Sequence, residues 1–497
     1  MPDRRPHRAA FLGLVALLAV VFGGPAAAAA GGDTLIGIVR SRIRTPVDFA
    51  GAPEVVWLLE TPQGKFTLDF TEPPTEDLTG REVTAHGLVQ DQRIAVTDYA
   101  VKPRKQLPLE GGPEPASHQT GTQNTIAILN KFADIAAEPQ PSSFFSSLLF
   151  GAFPSLKTFW EENSYNAMTL GGSINGWWSL PQPQATYNAI PNFDARLNQL
   201  VADALTTAAA NGMTDIPNGT RLLLFFNERF GCSCAVGTLG FENWNTPWGV
   251  RTFSVAWFPG GNLATWAWAV DVVGHEMGHN LGWWHSGNVY FTYDSNFDVV
   301  SRGCKAEGSH TIVFNKVEAG WLSGPSAFAL PFGTTSTYTV FPTTRTSGLR
   351  GLTLDMGDGL RAYSIEVRLH EGHDACIPEE GVLIHCWHKD LEDWAKKPVD
   401  ATPGDGTLTN ALWLPGMTFS EPAYGLTVQV WRQNPNGSFD IVVFWPLPAG
   451  VGCFGVPSSV AIQVPLGTPV SMVARQFTAL LPPTPTAALM PAPLPCN

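Results

Sequence analysis

The run His275-Glu-Met-Gly-His279-Asn-Leu-Gly-Trp-Trp-His285 restricts what this chain can fold into more than any other stretch. Around it, Trp266, Val270, Val273, Met277 and Leu281 recur every three or four residues, the buried stripe of a helix. On that helix His275 and His279 stand one turn apart on one face. The fold must therefore bury a helix that carries two imidazoles and a carboxylate, and must then stop it. Gly282 supplies the stop, because glycine turns the chain at positive φ without a Cβ clash. That turn brings His285 back towards the other two histidines.

Three neutral imidazoles suit zinc, at about 2.1 Å each, and leave a fourth position for water. Glu276 is next to the first ligand. A carboxylate there is placed to take a proton from such a water and to pass it to a leaving amine. The short form H-E-x-x-H is only moderately specific. The full form H-E-x-x-H-x-x-G-x-x-H fixes five residues, and here it falls on a predicted buried helix. Sequence thus assigns His275, His279 and His285 as metal ligands and Glu276 as the catalytic base, with one Zn2+ as cofactor.

With these residues in place, the segment resembles the metzincin peptidases, and among them the gametolysin-like family. Tyr293-Asp-Ser-Asn-Phe-Asp298-Val-Val-Ser301 is similar to the family's Met-turn, and Phe314 to Leu322 to the stretch that closes its catalytic domain. Phe159 to Tyr165, Gly176-Trp177, and Tyr363 to Arg368 followed by Gly381 to His385 also fit the pattern. The resemblance covers roughly residues 123–445. It implies a zinc-dependent endopeptidase that acts on extracellular proteins or glycoproteins. The chain departs from the family at Val300, where the family has a methionine beneath the metal; a smaller side chain there predicts altered packing and weaker zinc retention. No cysteine precedes residue 232, so a pro-region thiol that plugs the zinc is excluded.

The length of 497 residues exceeds what one core holds. Arg4, Arg5 and Arg8, the apolar Phe11–Phe22 and the small residues Ala26–Ala30 read as a signal peptide over 1–30, which implies a secreted or cell-surface protein. Residues 31–103 alternate apolar and polar with turn signals and predict a small OB-like β-barrel. Residues 104–122 read as a linker. Strands alternating with helices over 123–325 predict an α/β (α+β) metzincin-like catalytic domain. Residues 326–445 predict a β-sandwich, and 446–497 form a Pro/Ala-rich tail. Without residues 1–30 the chain has 27 basic and 42 acidic residues, a charge of −15 that repels nucleic acid and anionic lipid. No later segment is apolar and long enough for stable membrane insertion.

An oxidising compartment predicts that most of the seven cysteines pair. Spacing suggests Cys376–Cys386, Cys453–Cys496, and Cys304 with Cys232 or Cys234. Other candidates weigh less. His373-Asp374 and His385-Cys-Trp-His388 read as surface or turn residues rather than a second metal site. The acidic loop Tyr290–Asp298 admits calcium but matches no calcium-loop spacing. Either Tyr290 or Tyr293 is placed to stabilise an oxyanion. The alternative reading is a secreted binding or adhesion protein with a degenerate, non-catalytic zinc site. Val300 favours it and Glu276 opposes it. A zinc hydrolase acting on a non-peptide bond is a third, weaker reading.

Overall fold

A computed structural model describes residues 32–46, 54–74, 78–102, 119–260, 269–304, 308–389 and 394–446. The expected leader, most of the linker, nearly all of the tail, Trp266, Cys453 and Cys496 lie outside the described residues. The fold is mixed α/β and strand-rich, 40% strand against 18% helix, in several sheets.

The first strands are Asp33–Pro46 (β1), Glu54–Thr61 (β2), Gly64–Phe70 (β3), Glu82–Gln90 (β4) and Arg93–Val101 (β5). β1 pairs with β4 through Asp33–Ile38 and with β2 through Ile38–Arg44. β2 pairs with β3, β3 with β5, and β5 with β4, so the pairings run in a circuit around Val39, Leu59, Leu68, Val83 and Ile94. β1 does not stop there. Arg42–Pro46 pairs with a strand of the central sheet, which joins the two parts edge to edge.

The central region follows the order Gly121–Lys131 (β6), Ser142–Phe150 (α1), Leu156–Asn163 (α2), Met168–Ser179 (β7), Gln184–Asn188 (α3), Phe193–Ala210 (α4), Arg221–Phe226 (β8), Cys234–Thr238 (β9), Glu242–Thr246 (β10), Gly249–Phe258 (β11) and Ala269–Asn280 (α5). The expected linker therefore ends early, since Gly121 and Thr122 already belong to β6. The sheet runs β7-β6-β8-β11-β9-β1; β7, β6, β8 and β11 are parallel and β9 is antiparallel to β11. Strands buried on both faces read as unbroken apolar runs, as in Arg221-Leu-Leu-Leu-Phe-Phe226. The two-residue period then splits them cleanly. Leu223, Phe225 and Ala256 meet α1, α2 and α5, while Leu222, Leu224 and Val255 meet α4.

After Val313–Glu318 (α6), nine strands follow: Ala327–Leu330 (β12), Thr335–Val340 (β13), Gly351–Asp355 (β14), Arg361–Arg368 (β15), Gly381–His388 (β16), Lys396–Pro398 (β17), Thr418–Glu421 (β18), Leu426–Gln433 (β19) and Phe439–Phe444 (β20). They form a five-stranded sheet, β12-β14-β15-β16-β17, and a four-stranded sheet, β13-β20-β19-β18. Both contribute to one core, with Ile365 and Ile384 from the first and Val428 and Ile441 from the second.

The cysteine pairing differs from the expected one. Cys232 bonds Cys234, so neither pairs with Cys304, and Cys376 bonds Cys304 rather than Cys386. Turn proximity misled the sequence argument, because Cys376 follows a short helical turn that folds back onto the loop carrying Cys304. Closing 72 residues constrains the unfolded chain by about 4 kcal/mol in the chain-entropy account, far more than closing two does. The Cys232–Cys234 ring therefore acts locally, at the start of β9. His373, Asp374 and His385 are also corrected: all three are buried, not surface residues. Asp374 pairs with Arg368 at 3.1 Å and accepts the His310 N–H at 2.8 Å.

A buried ionic cluster fixes β1 to the central layer. The Arg42 guanidinium donates to both Glu242 oxygens, at 3.1 and 2.9 Å, and to Asn198, with Asp194 at 3.6 Å. Lys65 reaches the same Glu242 at 2.6 Å, and Trp244 and Trp257 flank the guanidinium. Removing one partner of such a pair leaves a buried charge uncompensated. Arg42→Ala is expected to destabilise the protein by about 3–5 kcal/mol, read from the urea midpoint of unfolding.

His385, on β16, is wholly buried, and burial, with Arg368 and Lys396 nearby, holds its pKa down at about 3 against an ordinary 6.5. The folded state keeps it neutral while the unfolded chain binds a proton below 6.5. Its contribution is thus lost as pH falls from about 6.5 towards 3, by up to about 1.4 kcal/mol per pH unit. His385→Leu should unfold less steeply with acid over that window; an unchanged pH slope in urea titrations would contradict this.

Candidate metal centre

Helix α5 is built to approach its neighbours closely. Val270, Val273 and Met277 bury its apolar stripe, and Leu281 continues it. Gly274 and Gly278 lie one turn apart and are poor helix formers, at a cost of about 1 kcal/mol each relative to Ala. The space they leave is used: a Cβ at Gly274 would touch Phe159 and Val299, and one at Gly278 would come within 2.4 Å of Val300. Gly282 has φ +94°, as expected of the residue that ends the helix, and the Trp283 N–H returns to the Gly278 carbonyl at 3.1 Å.

The structure brings His275, His279 and His285 together. One ligand nitrogen from each lies within 4.8 Å of the others, and all three residues are buried. Two rings are oriented from behind. His275 Nδ1 lies 2.7 Å from the Val299 carbonyl and His279 Nδ1 lies 2.7 Å from the Trp283 carbonyl. A carbonyl accepts only from N–H, so each ring carries its proton on Nδ1 and presents a bare Nε2. His279 Nε2 is buried with no hydrogen-bond partner. Burial, followed by the neighbouring His285, holds both imidazoles well below their usual range, which keeps them in the neutral form a metal needs. Among the described residues this is the one group of three or more His, Cys, Asp or Glu side chains arranged to hold a metal. The donor set fits zinc: three buried imidazoles that converge on one point.

Glu276 is buried on the same helix. Neither carboxylate oxygen has a hydrogen-bond partner of normal geometry, and burial pushes the carboxyl well above its usual range, offset in part by the Thr45 hydroxyl. Such a group readily accepts and returns a proton. β9 crosses directly over it. A Cβ at Gly237 would stand 2.9 Å from His279 Cβ and 3.1 Å from Glu276 Oε2, so only glycine lets the strand pass so near the helix.

The turn under the site is held by Asp298, which accepts from the Ser286 hydroxyl at 2.7 Å, the Thr311 hydroxyl at 3.0 Å and the Val300 N–H at 3.3 Å. It thereby joins the residue after His285 to the turn whose Val299 carbonyl orients His275. Val300 is fully buried and its branched side chain reaches Gly278, so packing at this position is close. Of the two tyrosines, Tyr293 has its ring 4.9 Å from that of His285, whereas Tyr290 donates to Asp400 and points elsewhere. Asp294 accepts backbone N–H groups of Asn288, Val289 and Tyr290 at 2.7 Å, so its carboxylate serves the loop itself.

Three neighbours of the site escaped the sequence reading. Thr45, on β1, puts its hydroxyl 3.4 Å from His275 Nε2, across 230 residues of sequence. Trp394 stacks on His285 with centroids 4.7 Å apart and planes 19° from parallel. Gly237 completes the set. Nothing in the motif signals any of them, although Gly in the run Cys234-Ala-Val-Gly-Thr238 is the kind of strand glycine that marks a close approach.

Neither protein-family models nor curated proteins give a match to this chain.

Since Asp298 orders two of the three ligand segments, Asp298→Ala is expected to weaken zinc binding by about 10–100-fold, measured by competition with a chromophoric chelator.

Proposed function

We propose that the chain is a secreted zinc-dependent endopeptidase acting on extracellular proteins, with His275, His279 and His285 holding the metal and Glu276 as general base. The observation that carries this reading is the pair of imidazoles held from behind at Nδ1 by backbone carbonyls, converging with His285 beside the buried Glu276 carboxylate. Zinc, when bound, supplies Lewis-acid polarisation of a peptide carbonyl and of the attacking water. Glu276 takes a proton at its carboxylate and returns it to the leaving amine. Its raised proton affinity suits it to both tasks. The carbonyls of Val299 and Trp283 hold the imidazoles in the tautomer that leaves Nε2 bare. Tyr293, next to His285 and His275, is the better placed of the two tyrosines to donate to a developing oxyanion.

The same reading covers the finer architecture. The circuit of β1 to β5 is taken as an OB-type barrel, the central layer as a metzincin-like catalytic domain, and the two C-terminal sheets as a β-sandwich. The disulfides Cys232–Cys234 and Cys304–Cys376 agree with export. A binding or adhesion protein with an inert zinc site is the second reading. The buried Glu276, whose burial the Thr45 hydroxyl offsets only in part, counts against it, because leaving a carboxylate desolvated is costly unless it is used.

The test is hydrolysis of casein by the purified protein with bound zinc quantified, beside Glu276→Ala. The expected result is about one zinc per chain in both, chelator-sensitive cleavage by the wild type, and at least ~100-fold less by the variant. Zinc without cleavage of casein or of a broad peptide library favours the binding protein, and no zinc refutes the assignment.

A further inference from the structure

The five-stranded sheet turns Ile365 and Ile384 towards the four-stranded sheet. Side chains alternate along a strand, so Ala362 and Trp387, opposite one another in register, belong to the other face. There α6 leaves a groove of about 460 Å³, lined by Phe314 and Val317 of the helix, Leu330 and Pro331 at the end of β12, and Ala362 and Trp387 of the sheet. The rings of Phe314 and Trp387 meet with centroids 5.2 Å apart, and Val317 is 36% exposed. The charges at the rim are already paired, Glu318 with Lys396 at 2.8 Å and Asp355 with Lys389. An aromatic, apolar groove without an unmatched charge suits an uncharged, proline-rich segment, which is extended before it binds and so loses little entropy on docking.

Two observations say which segment covers it. The first is where the chain goes. The Trp445 N–H donates to the Thr334 carbonyl and the Gly333 N–H to the Trp445 carbonyl, each at 2.8 Å, and the Trp445 ring lies 4.1 Å from that of Phe332. The chain thus leaves at Pro446 beside the residues that follow Pro331 of the groove. Residues 447–497 carry one charged side chain, Arg475, and the runs Leu481-Pro-Pro-Thr-Pro485 and Pro491-Ala-Pro-Leu-Pro495. The second observation is a disulfide. Cys386 adjoins Trp387 on β16, and it is disulfide-bonded. Cys232 and Cys234 hold each other, as do Cys304 and Cys376. Of the seven cysteines only Cys453 and Cys496, both within 447–497, are left for Cys386. Cys453 comes seven residues after Pro446, a reach of up to ~25 Å.

The groove also leads to the metal centre. Trp387 pairs in register with Lys396 of β17, whose ammonium lies 4.8 Å from the centre of the indole. The Lys396 carbonyl accepts the Gly287 N–H at 2.9 Å, just beyond His285, and Trp394 of the same arm stacks on the His285 ring.

We infer that this groove is the seat of the chain's own residues 447–497, stapled to β16 through Cys386, and that the seated tail braces the arm that lays Trp394 on His285. The bracing rests on the metal-centre reading above; the seat does not. The staple needs an oxidant, a disulfide of a low-molecular-weight thiol. The tail thiolate attacks it and releases one thiol, and the Cys386 thiolate then attacks the mixed disulfide and releases the second. Two electrons and two protons pass from the two cysteines to that disulfide.

The test uses the full oxidised chain. Non-reducing peptide mapping is expected to find Cys386 joined to Cys453 or Cys496. A photoreactive benzophenone side chain introduced at Val317 is expected to cross-link to residues 447–497 of the same chain, which mixtures of isotopically light and heavy protein distinguish from a second copy. Cys453→Ser with Cys496→Ser removes the staple from the tail side and leaves the groove untouched. In that variant the cross-link yield should fall by about fivefold or more and zinc affinity by about tenfold, read by competition with a chromophoric chelator. If it misfolds, Val317→Glu, which puts a charge into the groove, takes its place in the zinc titration.

Cys386 recovered as a free thiol, or cross-links that reach only another copy or nothing, overturns the proposal. A seated tail whose release leaves zinc affinity unchanged overturns the bracing and leaves the seat standing. No zinc in the wild type refutes the metal-centre reading and the bracing with it. Mapping and cross-linking, which need no metal, then still decide the seat.

Discussion

Every part of the site depends on satisfying the far side of two buried imidazoles. A histidine on the apolar face of a helix is costly unless one ring nitrogen is bonded and the other has a use. In α5 the Nδ1 atoms are paired with the Val299 and Trp283 carbonyls, at 2.7 Å each. Those carbonyls exist in the right places only because Gly282 ends the helix sharply and because Asp298 holds the following turn. The requirement for bare, convergent Nε2 atoms thus propagates outward into a glycine, an aspartate and a turn that never touch the metal position.

Close approach is the second requirement, and it is met by removing side chains. Gly237 brings β9 over Glu276, and Gly278 brings the helix onto Val300. Val300 stands where the resembled family has methionine. The expectation of looser packing assumed a helix at the usual distance; with glycine opposite, a valine fills the space.

What was legible from sequence follows from range. The helix, its glycine stop and the three histidines lie within one short segment whose period and spacing are local properties. The strand at 221–226 and the helix starting at Phe193 were equally plain, because uninterrupted apolar runs and 3.6-residue stripes need no tertiary knowledge. β9 was missed because Cys234-Ala-Val-Gly-Thr238 is short and carries little β-branched character. Thr45 was invisible for another reason: its role comes from a pairing 190 residues or more along the chain, and no local signal encodes that. The disulfides failed likewise, since sequence proximity between Cys376 and Cys386 says nothing about which loop folds back. Buried charge was misjudged in the same way. His373, Asp374 and His385 looked like turn residues, yet a set of long-range contacts through Arg368 and His310 draws Asp374 inside.

The joining of β1 to β9 has a consequence for the order in which the protein is made. Some 200 residues separate Arg42 from Glu242, and the strand lies on the N-terminal side. During synthesis β1 is already outside the ribosome, with its partners β2 to β5, before β9 and the histidine helix emerge. The central sheet thus never needs to present a bare β9 edge to other nascent chains. An unpaired strand edge is a template for misassembly. Placing the covering strand first in the chain removes that exposure from the moment the central sheet can form.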